Sequence, residues 1–261
     1  MVQPDRLSAP SAKLRRAEQH IERLDDAVGW YLNGEGRAPI MNKQADGVTL
    51  VVEVPMLREP PGCLSLILGD ALHNLRSALD YLAWQLVLAN GRTPTEHTQF
   101  PIYDNRLTKK GKPRSVDVDG GIDGQALTLI ERLQPYHRVN DPARHPLSIL
   151  RHLSNVDKHR TLHMTKGATD ALTCALSFED GTRIQAPPFS PRATDDDTLI
   201  VGVFRWEAGS TLPSNVNVEV SGTNYVILMD GPANRPVLLT VKELLKFERH
   251  VVLPALTPFL S

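Results

Sequence analysis

The sequence predicts an α+β fold: an N-terminal antiparallel helical layer, then a mostly antiparallel β-sheet, then a C-terminal helix. Two long stretches repeat apolar residues at alternating steps of three and four, which is typical of helices packed along a seam. After residue 163 the pattern changes to short β-branched runs separated by turn signals. We therefore expect a helical region with an inserted β-hairpin over 1–163 and a sheet with a closing helix over 164–261, and the two could form one compact domain.

The first helix is predicted over residues 11–33, and the second over 63–90 between Pro60-Pro61-Gly62 and Asn90-Gly91. The first seam is Leu14, Ala17, Ile21, Leu24, Val28 and Tyr31, and the second is Leu68, Leu72, Leu75, Leu79, Leu82 and Leu86. Matched seams favour antiparallel packing of the two helices. Two copies of the chain could instead use the same seams to form a homodimer.

Strand and loop signals fill the rest of the chain. VTLVVEV over 48–54 is predicted as a strand that pairs in a hairpin with 38–43. Residues 92–123 are predicted as a loop with a short strand at 99–103, and helices follow at 126–133 and 147–163. Later strands are expected at 171–178, 182–186, 198–206, 215–220 and 224–229, with a loop at 187–197. A capping box from Thr240 to Glu243 begins the last helix, which Pro254 kinks or ends.

Composition limits the function classes. The chain is 41% hydrophobic and carries a net charge of −1, so no global field attracts nucleic acid or an anionic membrane. No run approaches about 18 apolar residues and the N-terminus has no signal core, so we expect a cytoplasmic protein without membrane segments. Cys63 and Cys174 are expected to be buried free thiols. One local basic run is interpreted as a solvated loop: Arg106, Lys109, Lys110, Lys112 and Arg114.

The segment 145–163 is unusually rich in ionisable side chains for a helix with apolar neighbours. At 100° per residue, one polar stripe contains Arg151, His152, Asn155, His159 and His163. Asp157 and Arg160 fall among apolar residues instead. A charge on an apolar face is costly unless it is paired, so both residues require partners.

The second helix carries a matching polar arc that comprises Asp70, His73, Asn74, Ser77, Asp80, Tyr81 and Trp84, with Arg76 at its edge. Short polar groups and aromatic residues favour a covered face, so we expect the 147–163 helix or a second chain to lie on it. The predicted ion pairs join Asp80 and Asp70 to Arg160 or Arg151, and Asp157 to Arg76.

These residues suit acid–base chemistry and anion binding. His159 and His152 would transfer protons, Asn155 would orient a substrate, and Arg151 would hold an anion. The candidate binding residues are His73, Asn74, Arg76, Asp80, Asp157 and Arg160. Neither HExxH nor CxxC occurs, nor does a glycine-rich nucleotide loop, so no metal or cofactor is expected.

The paired helices and their His/Asn/Arg cluster resemble the HEPN superfamily, many of whose members are ribonucleases with an Arg-x(4–6)-His motif. That spacing occurs at Arg15/His20, Arg92/His97, Arg132/His137 and Arg138/His145, all outside the polar cluster. The chain is also similar to a group of uncharacterised bacterial proteins, over about its first two-thirds. The shared segments are GDALHNLRSALDYL (69–82), QFPI (99–102), LQPY (133–136) and LSNVDKHR (153–160).

Three functions remain open from the sequence. The first is an enzyme acting on a phosphate-bearing substrate such as RNA, as the HEPN resemblance implies, or another hydrolase. The second is a non-catalytic module that binds a small anionic ligand or a partner protein. The third is a structural ion network with no site, since buried charges are normally paired.

Overall fold

The protein has an α+β fold, described by a computed structural model for residues 5–33, 38–117, 120–138, 140–168, 173–187, 191–210, 215–221, 224–231 and 234–260. The helices are α1 (Ser8–Asn33), α2 (Cys63–Ala89), α3 (Gly124–Arg132), α4 (Pro146–His159), α5 (Val237–Phe247) and α6 (Leu253–Leu256). The strands are β1 (Ile40–Lys43), β2 (Thr49–Pro55), β3 (Met164–Ala168), β4 (Thr173–Phe178), β5 (Arg183–Gln185), β6 (Arg192–Ala193), β7 (Thr198–Arg205), β8 (Val216–Ser221), β9 (Asn224–Leu228) and β10 (Arg235–Pro236). None of the helices described reaches the length and apolarity that a membrane span needs.

The chain forms two compact units, and each is assembled from separate stretches of sequence. A helical unit comprises 1–27, 61–165 and 227–261, and a sheet unit comprises 28–60 and 166–226. The hairpin of β1 and β2 belongs to the sheet unit, whereas α5 belongs to the helical unit. Neither unit is therefore a continuous half of the chain.

Within the helical unit, α1 and α2 run antiparallel, as predicted. Lys13 lies 5.4 Å from the ring centre of Tyr81, and His20 Nδ1 lies 3.8 Å from Asp70 Oδ2 near the other end of the pair. Every residue of both predicted seams is buried within the single chain. The seams therefore form core here and are not open surfaces for a second copy.

Helix α4 approaches α2 closely at Gly69. A Cβ atom placed on Gly69 would lie 2.5 Å from Asp157 Oδ1, which is well inside van der Waals contact. Only the missing side chain leaves room for this carboxylate. The close approach explains how a charged residue on the apolar side of α4 is accommodated.

We expect Gly69→Ala to lower the free energy of unfolding by about 1–3 kcal/mol, because the added methyl group overpacks the helix contact. Gly29→Ala is the matched control, since a Cβ there meets nothing within 4 Å. The control should raise stability by about 0.5–1 kcal/mol through helix propensity. Urea unfolding of both variants measures the difference, and a stabilised Gly69→Ala protein would contradict the close contact.

The sheet unit contains two antiparallel sheets with the strand orders β1-β2-β7-β6 and β5-β4-β8. Their shared core is Leu50, Val52, Cys174, Leu176, Val201 and Phe204. The predicted hairpin is confirmed, with Ile40 opposite Glu53 and Lys43 opposite Leu50. The third sheet has the order β10-β9-β3.

The two cysteines occupy different environments, and the prediction of two buried thiols is half wrong. Cys174 is buried in the core, and this burial raises the pKa of its thiol to about 11. Cys63 is exposed at the first turn of α2. A helix begins at Cys63 because the preceding Pro60-Pro61-Gly62 cannot extend it backwards.

Several further elements differ from the sequence prediction, among them the helix predicted over 147–163, which ends at His159 and is followed by the unpredicted strand β3. The last helix begins at Val237, directly after β10, and Thr240 is an interior residue whose Oγ1 donates to the Pro236 carbonyl at 3.0 Å. Residues 192–193, predicted as loop, form β6 because they pair with β7. Residues 99–103 form no strand. Residues 171–172 of one predicted strand lie outside the described residues.

Candidate functional site

Side chains form hydrogen bonds with the backbone of segment 99–103. In a sheet, a neighbouring strand would form these bonds. Arg76 and Asp80 form an ion pair one helical turn apart on α2, at 2.7 Å. Asp80 Oδ1 accepts the N–H of Phe100 at 2.9 Å, and Arg76 Nη2 donates to the Phe100 carbonyl at 2.8 Å. One ion pair thus satisfies both backbone groups of Phe100.

Gln134 holds the next residues of this segment. Its Oε1 accepts the N–H of Tyr103 at 2.9 Å, and its Nε2 donates to the carbonyls of Pro101 and Ile130, each at 3.0 Å. Gln134 is only 1% exposed. Because Pro101 has no N–H to offer a sheet, these side-chain partners explain why the predicted strand does not form.

The segment, α2 and α4 enclose a pocket of about 380 Å³ within the helical unit. The residues that line it are Arg76, His97, Gln99, Phe100, Pro101, Ile102, Tyr103, Arg151, Ser154, Asn155 and Lys158. The α4 contribution follows from helical spacing, since positions 151, 154, 155 and 158 lie on one face. The predicted residues Arg76, Arg151 and Asn155 therefore meet in one place.

Positive charge predominates on the lining of this pocket. Arg151 pairs with Asp104, and Arg76 pairs with Asp80, but neither carboxylate lines the pocket. Lys158 is exposed and forms no ion pair with any carboxylate in the described part of the chain. Among the described residues, the lining thus contains three cationic residues and no carboxylate.

The start of α4 depends on a histidine that stays neutral. His145 Nδ1 accepts the N–H of Leu147 at 3.2 Å, and Pro146 occupies the first turn. Burial, reinforced by Arg138, lowers the pKa of His145 to about 4. The ring also packs edge-on against Phe247, with 5.2 Å between the ring centres. His145 therefore caps the helix and is not a proton carrier near neutrality.

The predicted histidines of α4 lie outside the pocket. His152 Nε2 is 2.7 Å from the Asp230 carbonyl oxygen, and Arg160 Nη2 donates to Asp230 Oδ1 at 2.5 Å. Asp230 Oδ2 also accepts the N–H of His163 at 2.5 Å, after α4 has ended at His159. These bonds anchor the C-terminal end of α4 to Asp230, in the turn that follows β9.

The predicted partners of the charged residues are wrong. Arg151 forms an ion pair with Asp104, and Arg160 forms one with Asp230. Both carboxylates lie in loops, and neither arginine pairs with Asp70 or Asp80. The exposed side chain of His159 makes no hydrogen bond or ion pair with the described residues. Helical angles identify which residues share a face, but they carry no information about which loop lies against it.

The Asp157 region is a separate feature of the α2–α4 contact. Burial raises the pKa of Asp157, Asp70 adds to this effect, and His73 opposes it. No ion pair joins Asp157 to Arg76, whose partner is Asp80. In the parts of the chain that the structure covers, no cluster of three His, Cys, Asp or Glu side chains could hold a metal ion.

The polar arc of α2 is not covered as predicted. Tyr81 and Trp84 remain 44% and 40% exposed, and His73 is exposed with its Nε2 3.5 Å from Ser77 Oγ. Asn74 is buried, but its Nδ2 donates to the Asp70 carbonyl at 2.8 Å within the same helix. Helix α4 therefore covers only part of this arc, near Gly69, and leaves Tyr81 and Trp84 exposed.

Comparisons with protein families, with curated proteins and with solved structures found no match for this chain. The site therefore has to be interpreted from its own residues. Segments 69–82, 99–102 and 153–160 all contribute to the pocket lining, and Gln134 of segment 133–136 supports its wall. Four stretches that are distant in sequence are thus brought together around one cavity.

Proposed function

We propose that the protein binds a small anionic ligand in the pocket between α2, α4 and segment 97–103. The observation that carries this proposal is the set of three cationic side chains on the lining, Arg76, Arg151 and Lys158, with no carboxylate among the described lining residues. A volume of about 380 Å³ suits a small molecule, since ligand sites commonly span about 300–1,000 Å³.

The lining supplies two kinds of contact for such a ligand. Guanidinium groups match the oxygens of phosphate or carboxylate in paired geometry, and Lys158 adds a mobile point charge. Gln99 and Asn155 offer neutral amides beside these cations. Phe100, Pro101 and Ile102 also line the pocket.

Binding is favoured over acid–base catalysis because the candidate proton carriers lie elsewhere. His152 and His159 are not part of the lining, and His97 is its one histidine among the described residues. The HEPN-like activity would need an arginine and a histidine of one motif at the same site. Arg92, which precedes His97 at the motif spacing, does not line the pocket.

We expect Lys158→Gln to weaken the binding of inorganic phosphate about tenfold, because a hydrogen bond to a charged group is lost. Isothermal titration calorimetry at low salt measures this affinity. Lys246→Gln is the matched control, since Lys246 is exposed on α5 and outside the pocket. His159→Ala should leave phosphate affinity unchanged. Equal affinities of Lys158→Gln and the unmodified protein would exclude the proposal.

A further inference from the structure

Residues 106–114, predicted as a solvated loop, form a closed hairpin-like turn. Leu107 pairs with Pro113, and the Arg114 N–H donates to the Arg106 carbonyl at 2.9 Å. Gly111 closes the turn with a φ of 74°, a conformation that favours glycine. The turn is therefore a defined structure that presents its side chains from fixed backbone positions.

This turn concentrates positive charge within nine residues of sequence. Its cationic residues are Arg106, Lys109, Lys110, Lys112 and Arg114. None of them forms an ion pair with a carboxylate among the residues that the structure covers. The whole chain carries a net charge of −1, so this excess of positive charge is local.

Arg114 connects the turn to the pocket. Its guanidinium lies 5.0 Å from the ring centre of Tyr103, and Tyr103 lines the pocket. The Tyr103 backbone is in turn fixed by Gln134. A cation over an aromatic face is attracted by the ring and keeps its hydrogen-bond donors free at the edges. Arg114 thus lies against a residue of the pocket lining and is not itself part of that lining.

We infer that Arg114 is a second anion contact, so that the ligand of the pocket carries two neighbouring phosphate groups. This inference rests on the proposed function. One phosphate would contact Arg151 and Lys158, and the other would contact Arg114 at the hairpin. Two linked phosphate groups carry about three negative charges near neutral pH. They could contact both Lys158 and Arg114, which have no carboxylate partner among the described residues, whereas a single phosphate would contact only one of them. The ligand class is therefore a small diphosphate, such as a nucleoside diphosphate.

The test compares inorganic phosphate with inorganic pyrophosphate by titration calorimetry at low salt. The unmodified protein should bind pyrophosphate at least about tenfold more tightly than phosphate, since the second group gains a charged contact. Arg114→Gln should remove this preference and leave phosphate affinity unchanged. Arg92→Gln, another exposed arginine outside the pocket, is the matched control and should retain the preference. Circular dichroism confirms that each variant is folded.

The outcomes separate this inference from the proposed function. Binding of phosphate without a preference for pyrophosphate would overturn the second contact and leave the anion site standing. Absence of saturable binding by both probes would overturn the anion site itself. A trinucleotide that binds more tightly than pyrophosphate would overturn the small-ligand assignment, because the hairpin would then contact a nucleic-acid strand.

Discussion

Replacing Glu248 with glutamine is expected to make the protein more stable at neutral and alkaline pH. Glu248 is 2% exposed, and neither of its carboxylate oxygens has a hydrogen-bond partner among the described residues. Burial raises the pKa of Glu248 well above its usual value of 4.5, while Arg76 opposes this effect and Asp80 adds to it. The protonated form of the side chain is therefore favoured in the folded protein.

The sign of the effect follows from proton linkage. In the unfolded chain Glu248 ionises near pH 4.5, whereas in the folded protein it keeps its proton to higher pH. The folded state then binds one more proton, so its stability is complete below pH 4.5 and is lost as pH rises towards the folded pKa. The slope is at most about 1.4 kcal/mol per pH unit. Glutamine has a similar shape and cannot ionise, so the variant avoids this loss.

Urea unfolding at several pH values between 5 and 8 measures the effect. The advantage of Glu248→Gln should grow with pH, by no more than about 1.4 kcal/mol per pH unit. Glu22→Gln is the control, because Glu22 is exposed on α1, and its profile should parallel that of the unmodified protein. Parallel profiles for both variants would show that Glu248 ionises normally in the folded state.

Gln134→Met is expected to lower the free energy of unfolding by about 2–5 kcal/mol. Methionine nearly matches glutamine in volume, so the change removes hydrogen bonds without leaving a cavity. The Tyr103 N–H and the Pro101 carbonyl lose their side-chain partner at a site that is closed to water. Each buried group left without a partner costs about 1–3 kcal/mol.

Gln125→Met provides the control for this change, because Gln125 is exposed in the first turn of α3. It should alter stability by no more than about 0.5 kcal/mol. Gln134→Met should also weaken phosphate binding, since Tyr103 and the segment that forms the pocket wall lose their support. Unchanged stability together with unchanged affinity would mean that the segment keeps its conformation without Gln134.

The helices could be predicted because their signals are local. The three-and-four spacing of α1 and α2 follows from helical geometry, and both seams are buried as expected. The ion pair between Arg76 and Asp80 could also have been predicted, because residues four positions apart are neighbours on a helix. Arg76 was instead predicted to pair with Asp157 on another helix, although Asp80 lies nearer in sequence.

The pocket was harder to predict because its wall is made by loops. Asp104, Gln134 and Asp230 were not among the predicted site residues, and each bonds to a residue more than 30 positions away in sequence. Pro101 was the available signal, since a proline within a short predicted strand indicates that the backbone finds other partners. Lys158 and Ser154 share the helical face of Arg151, so the same angular argument could have included them.

The division of the chain into two interleaved units has a consequence for protein synthesis. Residues 227–261, which supply α5 and Glu248 to the helical unit, are translated after every residue of the sheet unit. Domains generally fold as units while the chain is being made. The helical unit therefore cannot be completed before residues 227–261 have been synthesised, and the surface of α2 that α5 contacts stays uncovered until then.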